Sequence, residues 1–388
     1  MAIKILCVDD EPDWEFLIKQ KFRKRIRSNE FVFFFALNGK EALQLLDLHD
    51  DIGIVISDIN MPVMDGLTLL NEIIQLKRPF LKVIIVSAYG DMENIRTAMN
   101  MGAFDFLTKP IDFKDLEITI EKTLNNVTYL KKADKEHKNL VAIQQDLITA
   151  KKIQQSFIPN NFPAFPERKD IDIYGLMNAA KNVGGDLYDF FLIDDHKIGF
   201  VIGDISGKGV PAALFMAMSR SVIKTIAMKG KPPDQTMQEA NDALLAESKD
   251  AMFITTFYGI LNTRTGHLQY TNAGHAPPLI LFKNGPVSKL DGTENVALAA
   301  FEDINYNKRN FILNKGDAIL LFTDGVTEAL NETGLEYGME RLTKLLENSG
   351  NLPVKDIIQK IMDDIKLFVN NAELTDDLTM LAFRYYGI

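Results

Sequence analysis

The chain has 388 residues, of which 46% are hydrophobic and 25% charged, and this length predicts two domains joined by a connector. Its net charge of −10 argues against binding to a nucleic-acid backbone, and its one cysteine, Cys7, excludes an internal disulfide. Because the N-terminus does not read as a signal peptide and no apolar run approaches the roughly 20 residues of a membrane span, we expect a cytoplasmic protein without membrane contact.

Residues 1 to about 125 alternate apolar strands with amphipathic helices, the pattern of an α/β doubly wound parallel sheet with five strands. The predicted strands are Ile3–Val8, Phe31–Ala36, Ile52–Ser57, Lys82–Ser87 and Asp105–Thr108. The predicted helices are Asp13–Ile26, Gly39–Leu46, Gly66–Leu76, Asp91–Met101 and Phe113–Leu124. Sheets of this kind bind ligands at the carboxyl ends of their strands.

A connector without proline or glycine follows, from about 113 to 157, and predicts one long helix or two in succession. A first apolar seam has the alternating spacing of a coiled coil, at Leu116, Ile120, Thr123, Val127 and Leu130. A second seam resumes after the polar stretch Asp134–Asn139, at Leu140, Ile143, Leu147 and Ala150. Two interpretations remain open: a dimerising connector, whose first seam would be half exposed in a monomer, or a helix packed on its own domains.

The remainder of the chain predicts antiparallel sheets flanked by helices, an α+β sandwich, because short strands alternate with tight turns and the helices come in pairs. The predicted strands are Ile171–Met177, Tyr188–Leu192, Lys197–Asp204, Thr256–Asn262, His267–Asn272, Leu279–Lys283, Arg309–Leu313, Ala318–Thr323 and Met380–Tyr385. The predicted helices are Pro211–Met228, Pro233–Ser248, Met339–Glu347 and Val354–Val369. We therefore expect an N-terminal domain at 1–125, a helical connector at 126–157 and a C-terminal domain at 158–388.

Three carboxylates mark a first candidate site, because Asp9 and Asp10 follow the first strand and Asp58 follows the third. Clustered carboxylates repel one another unless a cation neutralises them, and oxygen ligands favour Mg²⁺. Ser87 and Lys109 end the fourth and fifth strands, where a hydroxyl and an ammonium suit phosphoryl oxygens. The alternative for each aspartate alone is an ordinary helix cap or turn residue.

Four strings at these strand ends, LCVDDEP, SDINMPVMDG, VSAYG and FLTKPI, resemble the receiver domain of two-component response regulators over residues 1–125. The resemblance implies that Asp58 accepts a phosphoryl group from a sensor histidine kinase. It also implies a Mg²⁺ site formed by Asp9, Asp10, Asp58 and the carbonyl of Asn60. The residues that would sense the phosphoryl group are Ser87, Lys109 and the switch aromatic Phe106. Phe106 lacks the hydroxyl of the tyrosine that is commoner there.

Further aspartates beside glycines or strand ends mark a second candidate site, at Asp186, Asp204, Asp324, Asp376 and Asp377. A carboxylate set without a histidine or cysteine cluster favours Mg²⁺ or Mn²⁺ over Zn²⁺. Two such ions about 3.5–4 Å apart would share one carboxylate and aim a water at phosphorus. Each string alone reads as a turn with an aspartate cap, and only their joint occurrence favours the metal site.

Five strings in this order resemble the metal-dependent PP2C-type serine/threonine phosphatases over about 150–388: GGDLYDF, GDISGKG, TNAGHAPP, FTDGVTE and TDDLT. The segment AKKIQQSFIP, at 150–159, makes the bacterial branch with SpoIIE and RsbU the better match. The resemblance implies one metal on Asp186, Asp204 and the carbonyl of Ile205, and a second on Asp204, Asp324 and Asp376. The family usually has glycine where Ile205 stands, and the motif favours Asp376 over Asp377.

The roles of Asp189 and His275 each have two interpretations. Asp189 would either orient a metal-bound water or cap a turn. His275 would either donate a proton to the leaving seryl oxygen or pin a turn, and we favour the turn. Gly207 and Gly209 flank Lys208 and resemble a phosphate loop, but the spacing is not that of a P-loop, and we favour glycines that allow a tight approach to the metal.

The function that these resemblances imply is a response regulator whose output is a phosphoserine or phosphothreonine protein phosphatase. Its implied substrate is a phosphorylated anti-sigma-factor antagonist with a STAS domain, within a partner-switching pathway, and we expect a homodimer. One alternative is a catalytically weak phosphatase-like adaptor that binds a sigma-factor regulator. A second alternative, a DNA-binding regulator, lacks a basic helix-turn-helix segment.

Overall fold

The computed structural model describes residues 2–247, 252–292, 294–370, 372 and 374–387. The chain divides into two compact units, residues 1–143 and 144–388. Ser248, the predicted end of one helix, lies outside the described residues.

The described part of the first unit is an alternation of strands and helices. Its strands are β1 Ile3–Val8, β2 Phe31–Ala36, β3 Ile52–Asp58, β4 Lys82–Ala88 and β5 Asp105–Lys109. Its helices are α1 Asp13–Lys21, α2 Arg23–Arg27, α3 Gly39–Leu48, α4 Gly66–Gln75, α5 Met92–Met101 and α6 Phe113–Phe157, the last of which continues past residue 143.

The five strands form one parallel sheet in the order β2-β1-β3-β4-β5, which confirms the predicted doubly wound fold. Successive side chains of a strand point to opposite faces, so each strand serves two cores. In β1, Ile5 and Cys7 join the core that includes α1 and α6, whereas Leu6 and Val8 join the core that includes α3 and α4. Helices cover both faces, which explains why the strands read as continuous apolar runs.

The first predicted helix, Asp13–Ile26, is wrong as one element, because it breaks at Phe22 into α1 and α2. Phe22 leaves helical geometry at φ −93° and ψ 15°. Its buried ring packs against Phe31 and Phe33, with ring centroids 5.9 and 5.4 Å away. This aromatic packing stabilises the break.

Helix α6 is one continuous element of 45 residues, so of the two alternatives the single helix is the one observed. The expectation of a half-exposed first seam is wrong, because Leu116 and Ile120 are fully buried in the core of the first unit and Val127 is also buried. The second seam is different, since Leu140 and Ile143 expose 60% and 56% of their surface. Only the second seam is therefore accessible.

The described part of the second unit holds strands β6 Ile171–Asn178, β7 Leu187–Leu192, β8 Lys197–Ile205, β9 Ile254–Asn262, β10 His267–Ala273, β11 Leu279–Leu281, β12 Val287–Lys289, β13 Arg309–Ile312, β14 Ala318–Phe322 and β15 Leu378–Tyr385. Its helices are α7 Val210–Ala227, α8 Pro233–Glu247, α9 Met339–Leu346 and α10 Val354–Val369, with a 3₁₀ turn at Asp324–Val326. The short strand β12 was not predicted, because its three residues are mostly exposed and lack an apolar pattern.

Two antiparallel sheets stack in this unit, in the orders β13-β10-β9-β8-β7 and β12-β11-β14-β15-β6. In β14, Ile319 and Leu321 pack into the core between the sheets, which also receives α7 and α8. Leu320 and Phe322 point the other way, into a separate core with α9 and α10. This period-two alternation confirms the predicted sandwich flanked by helices.

Helix α7 is, among the described residues, the one helix long and apolar enough to span a membrane by length and composition. The expectation that no segment reaches this limit is therefore wrong on those two criteria. Phe215 and Ile223 of α7 are nevertheless buried in the core, while Arg220 and Lys224 form ion pairs with Asp189. A core helix meets the same two criteria, so the match is weak support for a membrane span.

Candidate functional site

The parallel sheet brings the first set of carboxylates together at the carboxyl ends of β1 and β3. Val8 and Ser57 are register partners, so Asp9 and Asp58 follow them side by side. Carboxylate oxygens of Asp9, Asp10 and Asp58 all lie within 4.8 Å of one another, with Asp9 and Asp58 buried and Asp10 exposed. Because two of these carboxylates are buried and the third is exposed, a hard cation could reach the oxygen ligands from solvent.

Lys109 is the cation of this cluster. Its ammonium lies 2.7 Å from an Asp58 oxygen, 3.1 Å from Asp9 and 3.5 Å from Glu11. Burial raises the pKa of the Asp58 carboxyl, and the hydrogen bond from Lys109 opposes that increase. One ammonium does not neutralise three clustered carboxylates, so the donor set fits Mg²⁺.

The remaining predicted receiver residues line the same edge. The Ser87 side chain is buried, and its hydroxyl contacts an Asp91 oxygen at 3.2 Å. Asn60 is exposed two residues after Asp58, and its backbone acts to lower the pKa of that carboxyl. The ring of Phe106 is 37% exposed, so it faces solvent at the start of β5.

The second set of carboxylates comes from both sheets of the sandwich. Asp186 immediately precedes β7, and Asp204 is the next-to-last residue of β8. Asp324 follows β14, and Asp376 and Asp377 precede β15. Since β7 pairs with β8 and β14 pairs with β15, both antiparallel, each pair presents its carboxylates at one end.

Asp186, which is buried, and Asp204, which is partly buried, form the centre of this set. The two carboxylates are close enough for each to act on the pKa of the other. Burial, followed by the charges of Asp324 and Asp376, raises the pKa of Asp204 to about 7. Burial also raises the pKa of Asp186 well above its usual range, although Thr323 donates a hydrogen bond to it at 2.7 Å.

Asp324 and Asp376 form the more open part of the set. Burial, and then the charge of Asp376, raises the pKa of Asp324. The ammonium of Lys208 lies 2.7 Å from an Asp376 oxygen. Glu328 is a further acid that was not predicted, and partial burial together with the charge of Asp324 raises its pKa. It lies four residues after Asp324, just beyond the 3₁₀ turn at Asp324–Val326, and that spacing within the string FTDGVTE is the signal that was available.

Asp377 has a different environment from Asp376. Its two carboxylate oxygens accept hydrogen bonds from the backbone amides of Ala180, at 2.9 Å, and Gly185, at 2.7 Å. A Cβ at Gly184 would collide with this carboxylate, so the glycine permits a close approach. Asp377 therefore holds the loop before Asp186, which supports Asp376 as the metal ligand of the two.

Gln154 holds the same loop from the other side and was not predicted to do so. Its side-chain amide donates to the Gly184 carbonyl at 2.6 Å, and its side-chain oxygen accepts from the Gly184 amide at 3.0 Å. Gln154 is buried near the end of α6. The carbonyl of Ile205, at the end of β8, lies against the same loop, because a Cβ at Gly185 would stand 3.2 Å from it.

Asp189 takes neither of the two roles considered for it. It is fully buried, and its carboxylate accepts from Arg220 at 2.8 Å and from Lys224 at 3.1 Å. Both cations belong to α7, so Asp189 ties β7 to that helix.

His275 is held by its turn. Its backbone amide donates to the Asn272 side chain at 2.7 Å, and the Asn272 amide donates back to its carbonyl at 2.9 Å. The ring Nδ1 lies 3.0 Å from the Thr255 hydroxyl, and burial lowers the pKa of His275 to about 4. A neutral ring at pH 7 supports the structural interpretation over the proton donor.

The second donor set has the oxygen chemistry that divalent cations need, but no three of its described carboxylates lie within 4.8 Å of one another, as those of the first set do. Four carboxylates supply the oxygens, and Lys208 is the one cation that offsets them at close range among the described residues. Hard cations bound between these carboxylates would relieve their repulsion.

Two family models match separate parts of the chain. Residues 5–121 match the response regulator receiver domain, and residues 194–386 match stage II sporulation protein E, SpoIIE.

Relatives cover the phosphatase-like part. The phosphoserine phosphatase RsbU of Bacillus subtilis is 31% identical over 65% of this chain and 75% of its own length. Protein IcfG of a Synechocystis strain is 29% identical over 61% of this chain, but this chain spans only 41% of IcfG. The SiaA-PP2C domain of Pseudomonas aeruginosa, at 20% identity, superposes over 64% of this chain and 98% of that domain with a TM-score of 0.56, which shows a shared fold.

The raised pKa of Asp204 predicts that cation binding is linked to pH. With a pKa of about 7, Asp204 holds its proton at about pH 6 and has lost it by about pH 8, and a cation needs the ionised form. Mn²⁺ affinity should therefore rise through neutral pH while proton release falls. Calorimetry in buffers of different ionisation heat counts the protons, and Asp204→Asn should release fewer. Equal release at both pH values would contradict the assignment.

Proposed function

This chain belongs to the SpoIIE family and carries an N-terminal receiver domain, and on that premise we propose that it is a metal-dependent protein serine/threonine phosphatase under receiver control. The observation that carries the proposal is the placement of carboxylates from both sheets at one end of the sandwich, where Asp324 and Asp376 act on the pKa of Asp204. Bare carboxylates would repel a phosphate ester, so the site suits phosphate chemistry only together with cations.

We assign Asp186, Asp204 and the Ile205 carbonyl to one cation, and Asp204, Asp324 and Asp376 to the other, either Mg²⁺ or Mn²⁺. The cations would supply charge neutralisation and an activated water when bound. The chain's own residues orient the ligands: Thr323 holds an Asp186 oxygen, and Asp377 and Gln154 hold the loop that carries Asp186.

The receiver proposal rests on the Asp58 cluster. We propose that a sensor histidine kinase phosphorylates Asp58 with Mg²⁺ bound at Asp10, Asp58 and the Asn60 carbonyl, with Asp9 in support. Lys109 already contacts the accepting carboxylate at 2.7 Å, so it is placed to hold a phosphoryl oxygen. Ser87 is bound to Asp91, and phosphorylation would draw its hydroxyl away from that partner.

Control would pass along α6, whose Gln154 is hydrogen bonded to the loop before Asp186. We retain the proposed division into a receiver domain at 1–125, a connector at 126–157 and a phosphatase domain at 158–388. A small shift or rotation of α6 would move Gly184, and thereby the buried ligand Asp186.

We further propose a homodimer through the second seam of α6. Leu140 and Ile143 are exposed there, and an apolar seam left in water costs roughly 25 cal/mol per Å². The proposed setting is the cytoplasm. The proposed substrate is a phosphorylated anti-sigma-factor antagonist with a STAS domain, which the similarity to the phosphoserine phosphatase RsbU supports.

Asp204→Asn should lower Mn²⁺-dependent hydrolysis of a chromogenic phosphate ester at least about 100-fold, because the proposal has Asp204 bind both cations. Circular dichroism should show an intact fold. Asp194→Asn is the matched control, since Asp194 is a surface residue at the other end of β8 and pairs with Lys197. A folded Asp204→Asn with near-normal turnover would refute the two-metal site. Wild type without any turnover would favour the adaptor alternative.

Asp58→Asn should abolish labelling by acetyl phosphate in the presence of Mg²⁺, because it removes the accepting carboxylate. Intact-mass analysis should show one added phosphoryl group on wild type and none on the variant. Asp51→Asn, which changes an exposed partner of Lys4, is the control and should label normally. Labelling of Asp58→Asn at the wild-type level would place the phosphorylation site elsewhere.

Gln154→Met should uncouple the phosphatase rate from Asp58 phosphorylation, because it removes both hydrogen bonds to Gly184 while keeping the side-chain size. Leaving buried backbone groups unpaired costs about 1–3 kcal/mol each, so the melting temperature should also fall by several degrees. The exposed neighbour Gln155→Met is the control. An unchanged response to beryllofluoride in Gln154→Met would show that α6 does not act through this contact.

Replacing Leu140 and Ile143 by asparagine should convert the proposed dimer to monomer in light scattering, because it removes apolar surface from the second seam. Val141→Asn changes an equally accessible residue beside the seam and should keep the dimer. A wild-type monomer, or a double variant that remains dimeric, would exclude this interface.

A further inference from the structure

Lys208 contacts a residue 168 positions away in sequence, at the open side of the carboxylate set. Its ammonium donates to an Asp376 oxygen at 2.7 Å and to the Thr375 carbonyl at 2.8 Å. The side chain is 50% exposed, so the ammonium can leave this contact without a rearrangement of the core.

The backbone conformation of the loop that carries Lys208 directs this side chain toward Asp376. Gly207 and Gly209 adopt φ values of +101° and +82°, which residues other than glycine rarely adopt. No atom lies within 4 Å of the position that a Cβ would take at either glycine. The glycines are therefore required by backbone conformation and not by crowding. Ser206 anchors the start of the loop through hydrogen bonds in both directions with the Phe253 backbone, at 2.9 and 3.0 Å.

The charges around Lys208 belong to the proposed metal ligands. Besides Asp376, the charges of Asp377 and Asp204 act on its ammonium. Asp324, in turn, is influenced by both Asp376 and Lys208. The ammonium thus lies where a metal ion bound to Asp376 would be close to it. Two positive charges at one carboxylate oxygen would repel each other.

We propose that Lys208 is an exchangeable counter-ion of the site, which competes with the second divalent cation for Asp376 and is released when that cation binds. The inference deepens the proposed function and rests on its assignment of Asp376 as a ligand. Lys208 thereby sets the cation concentration at which the second position fills, while the position at Asp186 is affected less. It acts as a positioning residue toward Asp376.

Mn²⁺ titration of the full chain by calorimetry tests the exchange without reliance on activity. Lys208→Met should bind the weaker Mn²⁺ about two- to fivefold more tightly, the range expected for loss of a partly exposed ion pair. Lys208→Arg keeps the cation and should bind as wild type does. Lys197→Met is the matched control, because Lys197 is similarly exposed, pairs with Asp194 and lies at the other end of β8.

A double-mutant cycle separates direct competition from a general field effect. In an Asp376→Asn background, Lys208→Met should no longer change Mn²⁺ affinity. If the increase persists there, or if Lys208→Met binds Mn²⁺ no more tightly than wild type, the exchange is overturned. A wild type that binds Mn²⁺ but hydrolyses no phosphopeptide would overturn the proposed function alone, because the binding comparison still decides the role of Lys208.

Discussion

Mutual repulsion between carboxylates is the constraint on which the rest of the second unit depends. Asp186 and Asp204 are close together, with Asp186 buried and Asp204 partly buried, and this arrangement raises the pKa of both carboxyls, so a proton or a cation stabilises it. The surrounding contacts keep the pair in position: Thr323 fixes one oxygen of Asp186, and Asp377 and Gln154 fix the loop before it. The repulsion that would separate these groups is therefore available to attract divalent cations.

Each of the two sheets supplies part of this site. One sheet supplies Asp186 and Asp204, and the other supplies Asp324 and Asp376. Packing between the sheets, through residues such as Leu321 and Phe383, sets the separation of the two halves. The relative positions of these carboxylates are thus set by the sandwich core, and a change of core packing would move them.

Helix α6 makes different contacts along its length, and the proposed control depends on them. Its start is buried in the receiver core by Leu116 and Ile120, and Gln154 near its end is hydrogen bonded to Gly184 in the loop before Asp186. The stretch between them is charged, with exposed apolar positions at Leu140 and Ile143. The proposed control along α6 rests on these contacts, because a change at either end would alter the local hydrogen bonds or packing there.

The sequence by itself determined both folds and most of the candidate ligands. Strand periodicity and aspartates at strand ends are local signals, and the motifs around Asp58, Asp186 and Asp204 carried the family resemblance. Only the tertiary structure decided which partners the charged and polar side chains of the site contact. Asp189 pairs with α7, Asp377 binds backbone amides, Lys208 reaches Asp376, and Gln154 holds Gly184. It also decided that the first seam of α6 is buried while the second is exposed. Those outcomes depend on contacts between residues far apart in the chain, which neither periodicity nor motif spacing encodes.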